Sequence, residues 1–262
     1  MKLKLVPASQ GWRWVRQGLS TFRRQPLALA GLFFMYITTI SLASLIPLVG
    51  NVLALALLPA ATLGLMAATR EADRGHFPMP SILISAFRAG HQRARAMALL
   101  GLIYAVSFLL VLGATALLDG GTFARFYLMG GAVTREIVES PAFQQAAWLA
   151  MGLYLPLSLL FWHAPALVHW YEVPPVKSLF FSVVACFRNF SAMLVFALAW
   201  MGIFTGVGIA LTLLSVLIGQ PGLIGTLMLP TLLLLAAVFF CSIWFTFQDC
   251  FEVQDSPDPG NA

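Results

Sequence analysis

Few residues in this 262-residue chain have the types and spacing that chemistry needs. Glu136 and Glu139 stand three apart in TREIVE. On a helix they would share a face, which a general acid and base could use. Arg135 lies four residues before Glu139, so an ordinary surface ion pair competes for the same carboxylate. His163 and His169 lie in FWHAPALVHWYE. Six apart and separated by Pro165, they do not share a helix face, and among Trp162, Trp170 and Tyr171 they read as belt residues rather than metal ligands or a proton relay. Cys186, Cys241 and Cys250 cannot all pair, and reduced thiols are expected.

The absences narrow the chemistry further. No Asp, Glu, Lys or Arg falls near the middle of any long apolar run, where coupled transporters and proton relays place such groups. Thr38, Thr39, Ser41, Ser107, Ser158 and Thr205 are the polar side chains left to line a path. There is no GxxxxGK[ST], HExxH, GxSxG or CxxC. These absences predict a protein that is not an enzyme, with no cofactor and no bound metal.

The elements that must position these residues are membrane helices. Hydrophobic residues make up 60% of the chain and charged ones 10%, against about 25% charged for a soluble domain. A hydrocarbon core roughly 30 Å thick needs about 20 apolar residues per crossing. Six runs meet or approach this: 26–48, 51–69, 95–117, 144–168, 192–218 and 222–247. The first is too long for a cleavable leader and has no clear small-x-small site after it, so it reads as an uncleaved span. The expectation is an all-α membrane protein with six transmembrane helices in one domain, residues 1–250, and a disordered acidic tail, 251–262.

Charge orients it. Six Lys and Arg precede the first span, five (Arg70, Arg74, Arg88, Arg93, Arg95) lie in the second connection and two (Lys177, Arg188) in the fourth. Only Arg125 and Arg135 remain for the other side. The positive-inside rule places both termini in the cytoplasm. The net charge of +5 then faces anionic inner-leaflet lipid, and no basic, aromatic groove motif points to nucleic acid.

Ahead of the first span, residues 9–24 read as an interfacial amphipathic helix with Ser9 as N-cap. Trp12, Val15, Leu19 and Phe22 take one side; Arg13, Arg16, Gln17, Ser20 and Arg24 take the other. Trp12, Arg13, Trp14, Arg16, Arg23 and Arg24 are candidate lipid-facing residues, joined by Arg88 and Arg188 in two later segments of the same kind, after Pro80 and after Pro175. Each segment carries Phe-Arg (Phe22-Arg23, Phe87-Arg88, Phe187-Arg188), and each following second span carries Leu-Pro, at Pro59, Pro156 and Pro230. The Phe-to-Pro separations are 37, 69 and 43, and the middle one includes a loop of about 26 residues, 118–143. Three parallel repeats of one surface helix plus two spans are expected, a symmetry that can enclose an axial cavity.

Paired glycines in loop 118–143 bracket FARFYLM, which reads as a short surface helix. The three prolines are expected to kink their spans, with neighbours satisfying the freed carbonyls. Gly202 and Gly206 form a GxxxG that predicts close helix packing.

Val6-Pro7-Ala8, Gly11-Trp12-x-Trp14, Gly18, Phe22 and Pro26, with Leu58-Pro59 to Arg70, resemble a family of multi-pass inner-membrane proteins of betaproteobacteria described only as uncharacterised transmembrane proteins. The likeness is clear over about the first 95 residues and mainly hydropathic after that. It implies an inner-membrane location and supplies no activity or functional residues. Two functions stay open: a non-enzymatic component that organises lipid or supports a membrane-protein partner, and a passage for an apolar or neutral solute. A membrane-embedded lipid enzyme ranks third.

Overall fold

The structure, a computed structural model, describes residues 2–47, 49–130, 134–220 and 222–252, with the backbone only for residue 223. The helices are α1 (Gln10–Arg24), α2 (Pro26–Ser44), α3 (Gly50–Asp73), α4 (Ser85–Arg88, continuing a 3-10 turn Pro80–Ile84), α5 (His91–Asp119), α6 (Thr122–Met129), α7 (Arg135–Glu139), α8 (Pro141–Phe161), α9 (Ala164–Tyr171), α10 (Pro175–Arg188), α11 (Phe190–Ile218) and α12 (Gly222–Cys250). Among the described residues the other regular pairing is an isolated antiparallel bridge between Leu3 and Phe251.

Six segments are long and apolar enough to cross a membrane: Pro26–Ser44, Gly50–Asp73, His91–Asp119, Pro141–Tyr171, Phe190–Ile218 and Ile224–Cys250. Their outward faces are apolar; Leu117 is 86% exposed and Leu217 83%, surface that hydrocarbon covers. Glycines in left-handed backbone set the breaks. Gly120 and Gly121 (φ 64° and 86°) separate α5 from α6, and Gly219 (φ 71°) ends α11. Pro59, Pro156 and Pro230 lie inside α3, α8 and α12, which continue through them.

The chain forms two compact units. One comprises Met1–Met35, Gly64–Ser85 and Val184–Ala262; the other comprises Tyr36–Leu63 and Ala86–Val183. In the first, α1 lies against both α11 and α12. Glycine makes this approach possible. A Cβ on Gly11 would fall into the backbone of Ala192 and 2.7 Å from the Phe196 nitrogen; one on Gly18 would fall 2.7 Å from the Ser242 side chain and 2.8 Å from its backbone. Trp14 fills the space between, edge-on to Phe196 at 6.0 Å. Behind it Trp200 Nε1 donates to Ser242 Oγ at 3.2 Å and stacks edge-on to Phe239 at 5.4 Å.

The second unit is built on α5 packed along α8, with α6 and α9 beside them. Tyr104 meets Phe161 edge-on at 4.9 Å. Asn51 Nδ2 donates to the Leu128 carbonyl at 2.9 Å and ties the start of α3 to α6. The helical path breaks between α8 and α9, which would strand backbone groups in an apolar interior. Ser182 of α10 repairs it: its Oγ accepts from the His163 N–H at 2.9 Å and donates to the Leu159 carbonyl at 2.7 Å.

Four expectations change. The buried face of α1 is Gly11, Trp14, Val15, Gly18, Thr21 and Phe22, rotated from the Trp12/Leu19 stripe, because the helix packs on protein as well as lying at a surface. Ser9 occupies the N-cap position but makes no side-chain cap hydrogen bond. The segment after Pro80 is not one amphipathic helix: it is a 3-10 turn and a single α-turn, ended at Gly90 (φ 101°), and Arg93 and Arg95 belong to the long helix that follows. Residues 251 and 252, read as the start of the tail, are paired instead, with Lys4 N–H donating to the Cys250 carbonyl at 2.9 Å and Glu252 N–H to the Lys2 carbonyl at 3.2 Å. The rest of the expected disordered tail, 253–262, lies outside the described residues.

Candidate functional site: a polar pocket among helix ends

The first unit brings Lys4, Arg70, Asp73, Arg74, Gln248 and Asp249 together where the apolar stretches of α3 and α12 stop. Asp249 is in the last turn of α12, and its Oδ2 accepts from Gln10 Nε2 at 2.5 Å and Trp14 Nε1 at 2.8 Å. Asp73, the last residue of α3, accepts from Thr21 Oγ1 at 3.2 Å, with the Arg24 guanidinium 3.9 Å away. Both carboxylates therefore turn toward α1 and hold it in place. Asn189, 1% exposed, ties down the N-terminal segment: its Oδ1 accepts from Val6 N–H at 2.9 Å and its Nδ2 donates to the carbonyls of Lys4 at 3.0 Å and Ala185 at 3.2 Å.

Between these fixed pieces lies a cavity of about 370 Å³, lined by Lys4, Arg70, Asp73, Arg74, Gln248 and Asp249 together with Trp244 and Phe251. Arg70 lies over the Trp244 ring, 5.7 Å from its centroid, which holds the guanidinium at the wall. Arg70 and Arg74 also sit in the last turn of α3 or just beyond it, where the helix dipole favours cations. Three cations thus converge from segments far apart in sequence. Nothing in local spacing marks this pocket; the Arg70-Glu-Ala-Asp73-Arg74 cluster is its sole sequence trace.

The residues singled out in the sequence are distributed differently. Arg13, Arg16, Arg23 and Arg24 are exposed on the outer side of α1, as is Trp12 at 49%. Trp14 is not lipid-facing: it is 0% exposed, because the close approach at Gly11 and Gly18 brings α11 and α12 over it. Arg88 and Arg188 are exposed. At Gly202 and Gly206 a Cβ would meet nothing within 4 Å, so these glycines seat no helix of this chain among the described residues. Close approach occurs instead at Gly11, Gly18 and Gly64, and at Gly101 against Ala56.

Arg135 pairs with Glu139 at 2.6 Å on an exposed turn, leaving no carboxylate pair with Glu136 to work as acid and base. His163 is fully buried at the α8–α9 break, and His169 stacks edge-on to Trp170 at 5.5 Å. No cluster of three His, Cys, Asp or Glu side chains suited to a metal is found among the described residues. The three cysteines are buried free thiols. Burial, with Cys250 close by, pushes the Cys186 thiol up to about 12 and away from thiolate chemistry.

In the second unit an Arg93–Glu172 ion pair stands beside a cavity of about 480 Å³ bounded by the start of α5 and the turn into α10. Glu172 is in left-handed backbone (φ 54°), ending α9. A separate groove of about 340 Å³ is almost wholly apolar, with Phe108, Phe123, Tyr127, Met151 and Tyr154 along it.

An all-helical chain with six span-length apolar helices and its polar groups at their ends is a multi-pass integral membrane protein. It is 40% identical over 262 residues, covering 99% of this chain and 97% of the other, to a Burkholderia thailandensis protein described as a probable inner membrane protein. The chain belongs to that inner-membrane family. No protein-family model matches it, and no solved structure does.

Proposed function

We propose that the protein is a non-enzymatic inner-membrane component that organises anionic inner-leaflet lipid and presents a fixed basic surface to a membrane-protein partner. One observation carries the reading. Helix α1 is seated on α11 and α12 through Gly11 and Gly18, so Arg13, Arg16, Arg23 and Arg24 are displayed on a rigid support rather than on a mobile tether. Each basic residue near an anionic leaflet contributes about 1 kcal/mol of attraction. Nucleic acid is not part of this reading.

Both termini lie in the cytoplasm in this proposal, which the distribution of Lys and Arg supports. Three parallel units are proposed as well. The element order supports them, since a short surface segment precedes each pair of spans (α2 and α3, α5 and α8, α11 and α12) and a proline lies inside the second member of each pair.

The test is lipid enrichment. The full chain is extracted with its surrounding lipid, and the ratio of acidic to zwitterionic lipid retained is compared between wild type and the Arg13→Gln/Arg16→Gln/Arg23→Gln variant. A fall toward the bulk ratio is expected; an unchanged ratio refutes the reading. A second reading, passage of an apolar or neutral solute, is favoured by the aromatic groove along Phe108, Tyr127 and Tyr154. Uptake into proteoliposomes that a Met151→Trp block abolishes would support it.

A further inference from the structure

We propose that the aromatic groove formed by α5, α6 and α8 in the second unit binds the neutral, carbonyl-bearing ring of an isoprenoid quinone, whose tail stays in the surrounding hydrocarbon.

The inference goes beyond the lipid-organising reading and does not depend on it; with the passage reading it shares only the groove. Four features carry it. First, the groove, about 340 Å³, is walled by rings. Phe108 and Leu112 are buried at its floor, Tyr127 stands 5.1 Å from the Phe108 centroid, and Tyr154 meets Phe108 edge-on at 6.0 Å. Second, four of the five tyrosines in the chain, Tyr36, Tyr104, Tyr127 and Tyr154, cluster here. The hydroxyls of Tyr104 and Tyr154 pair with each other, inside the spans His91–Asp119 and Pro141–Tyr171 rather than at the interface where tyrosine ordinarily sits. A pair of phenols uses one of its two protons internally, which leaves the other for an acceptor. Third, no charged side chain lines the groove, so a carboxylate or phosphate headgroup would be buried there without a counter-charge. Fourth, the groove is held in shape. The Asp119 carboxylate accepts from the N–H groups of Gly121 at 2.9 Å and Phe123 at 2.6 Å and fixes the start of α6, while Asn51 holds the Leu128 carbonyl near its end.

These features select among neutral ligands. A saturated acyl chain would fill the apolar walls but offer the phenols no acceptor. A diacylglycerol has ester carbonyls but no flat ring to set against the faces and edges of Phe108, Tyr127 and Tyr154. A quinone supplies both, since its carbonyl accepts from a phenol while its ring meets the aromatic walls. Met151 and Tyr154 are exposed on the span at the rim, so entry is sideways from the bilayer, as a ligand with a long apolar tail requires.

Native mass spectrometry of the full chain in mild detergent tests this, with decylubiquinone and didecanoylglycerol as probes. Wild type is expected to retain one decylubiquinone per chain and to hold the diglyceride about tenfold more weakly. Tyr154→Phe, which keeps the ring and removes the hydroxyl, should weaken quinone binding about three- to tenfold. Met151→Trp, which fills the groove, should abolish it, and Tyr171→Phe, at the end of α9 and outside the cluster, should bind as wild type does.

No retained quinone on wild type would overturn the proposal, and so would equal retention of the diglyceride or wild-type affinity in Tyr154→Phe. Binding is read without a sealed vesicle, so its outcome is separate from that of the uptake assay. The Arg13→Gln/Arg16→Gln/Arg23→Gln variant should bind quinone as wild type does, which separates failure of this site from failure of the α1 reading. Because the two-probe comparison is made on wild type, it stands even if a variant fails to fold.

Discussion

Replacing Gly18 with alanine sets two well-measured effects against each other. In an open helix, Gly→Ala stabilises by roughly 0.5–1 kcal/mol, because the unfolded chain loses less freedom. At Gly18 the added methyl would stand 2.7 Å from Ser242 Cβ and 2.8 Å from the backbone nitrogen and Cα of the same residue, nearer than real Cβ atoms approach. The obstacle is helix backbone, which cannot rotate aside, so α1 must lift from α12. Forcing methyl groups into a packed site costs typically about 1–3 kcal/mol. Lifting α1 also stretches the 2.8 Å bond from Trp14 Nε1 to Asp249. The net expectation is a loss of about 0.5–2 kcal/mol, with Gly18→Leu worse.

The assay is unfolding in mixed micelles titrated with sodium dodecyl sulfate, followed by tryptophan fluorescence. Gly202→Ala is the control: nothing lies within 4 Å of its Cβ, so stability should stay within about 1 kcal/mol of wild type. If Gly18→Ala unfolds at the same or higher detergent fraction than wild type, or Gly202→Ala loses as much, the seating of α1 on α12 is wrong.

Three further expectations follow from other contacts. Asn189→Ala should free the N-terminal segment, since Val6 N–H and the Lys4 carbonyl lose their side-chain partner; amide exchange at Val6 should rise by one or more orders of magnitude, and unchanged protection would show the segment to be held by other means. Ser182→Ala should cost about 1–3 kcal/mol by stranding the His163 N–H, whereas Ser158→Ala, whose hydroxyl bonds only back along its own helix, should be nearly neutral in the same titration. Cys186 should resist maleimide labelling at pH 8 until the protein is unfolded, because burial holds its thiol protonated until pH approaches about 12; rapid labelling of the folded protein would refute that burial.

How much of this could be read from the residues depends on the range of the interaction. Six apolar runs declare themselves, because hydrocarbon leaves no choice of partner for a backbone. The short helix Thr122–Met129 between paired glycines was legible for a similar local reason, as was the Arg135–Glu139 pair four residues apart. The face of α1 was not. Both Trp12 and Trp14 lie in an amphipathic pattern, and the deciding residues, Gly11 and Gly18, have no side chain to register in a hydrophobic stripe; their seven-residue spacing is the signal, one turn pair apart on the contact face. Gly202 and Gly206 show the converse, a close-packing motif with no helix of the same chain upon it among the described residues. The continuity of the segment after Pro80 turned on Gly90 adopting φ 101°, which composition does not reveal. The pocket was least legible, since Lys4, Arg74 and Asp249 are brought together from opposite ends of the sequence.

The pairing of residues 2–4 with residues 250–252 bears on how the protein is made. The segment that Asn189 clasps is made well before its other partner, residues 250–252. Helix α1 likewise waits for the two final spans before its tryptophan and glycines have anything to pack on. Until both have been made, this basic amphipathic helix lacks the seat described above, so the unit closes only after α12. A nascent chain arrested before α12 would leave Trp14 without Asp249 and residues 2–4 without residues 250–252, so closure of the unit depends on that helix.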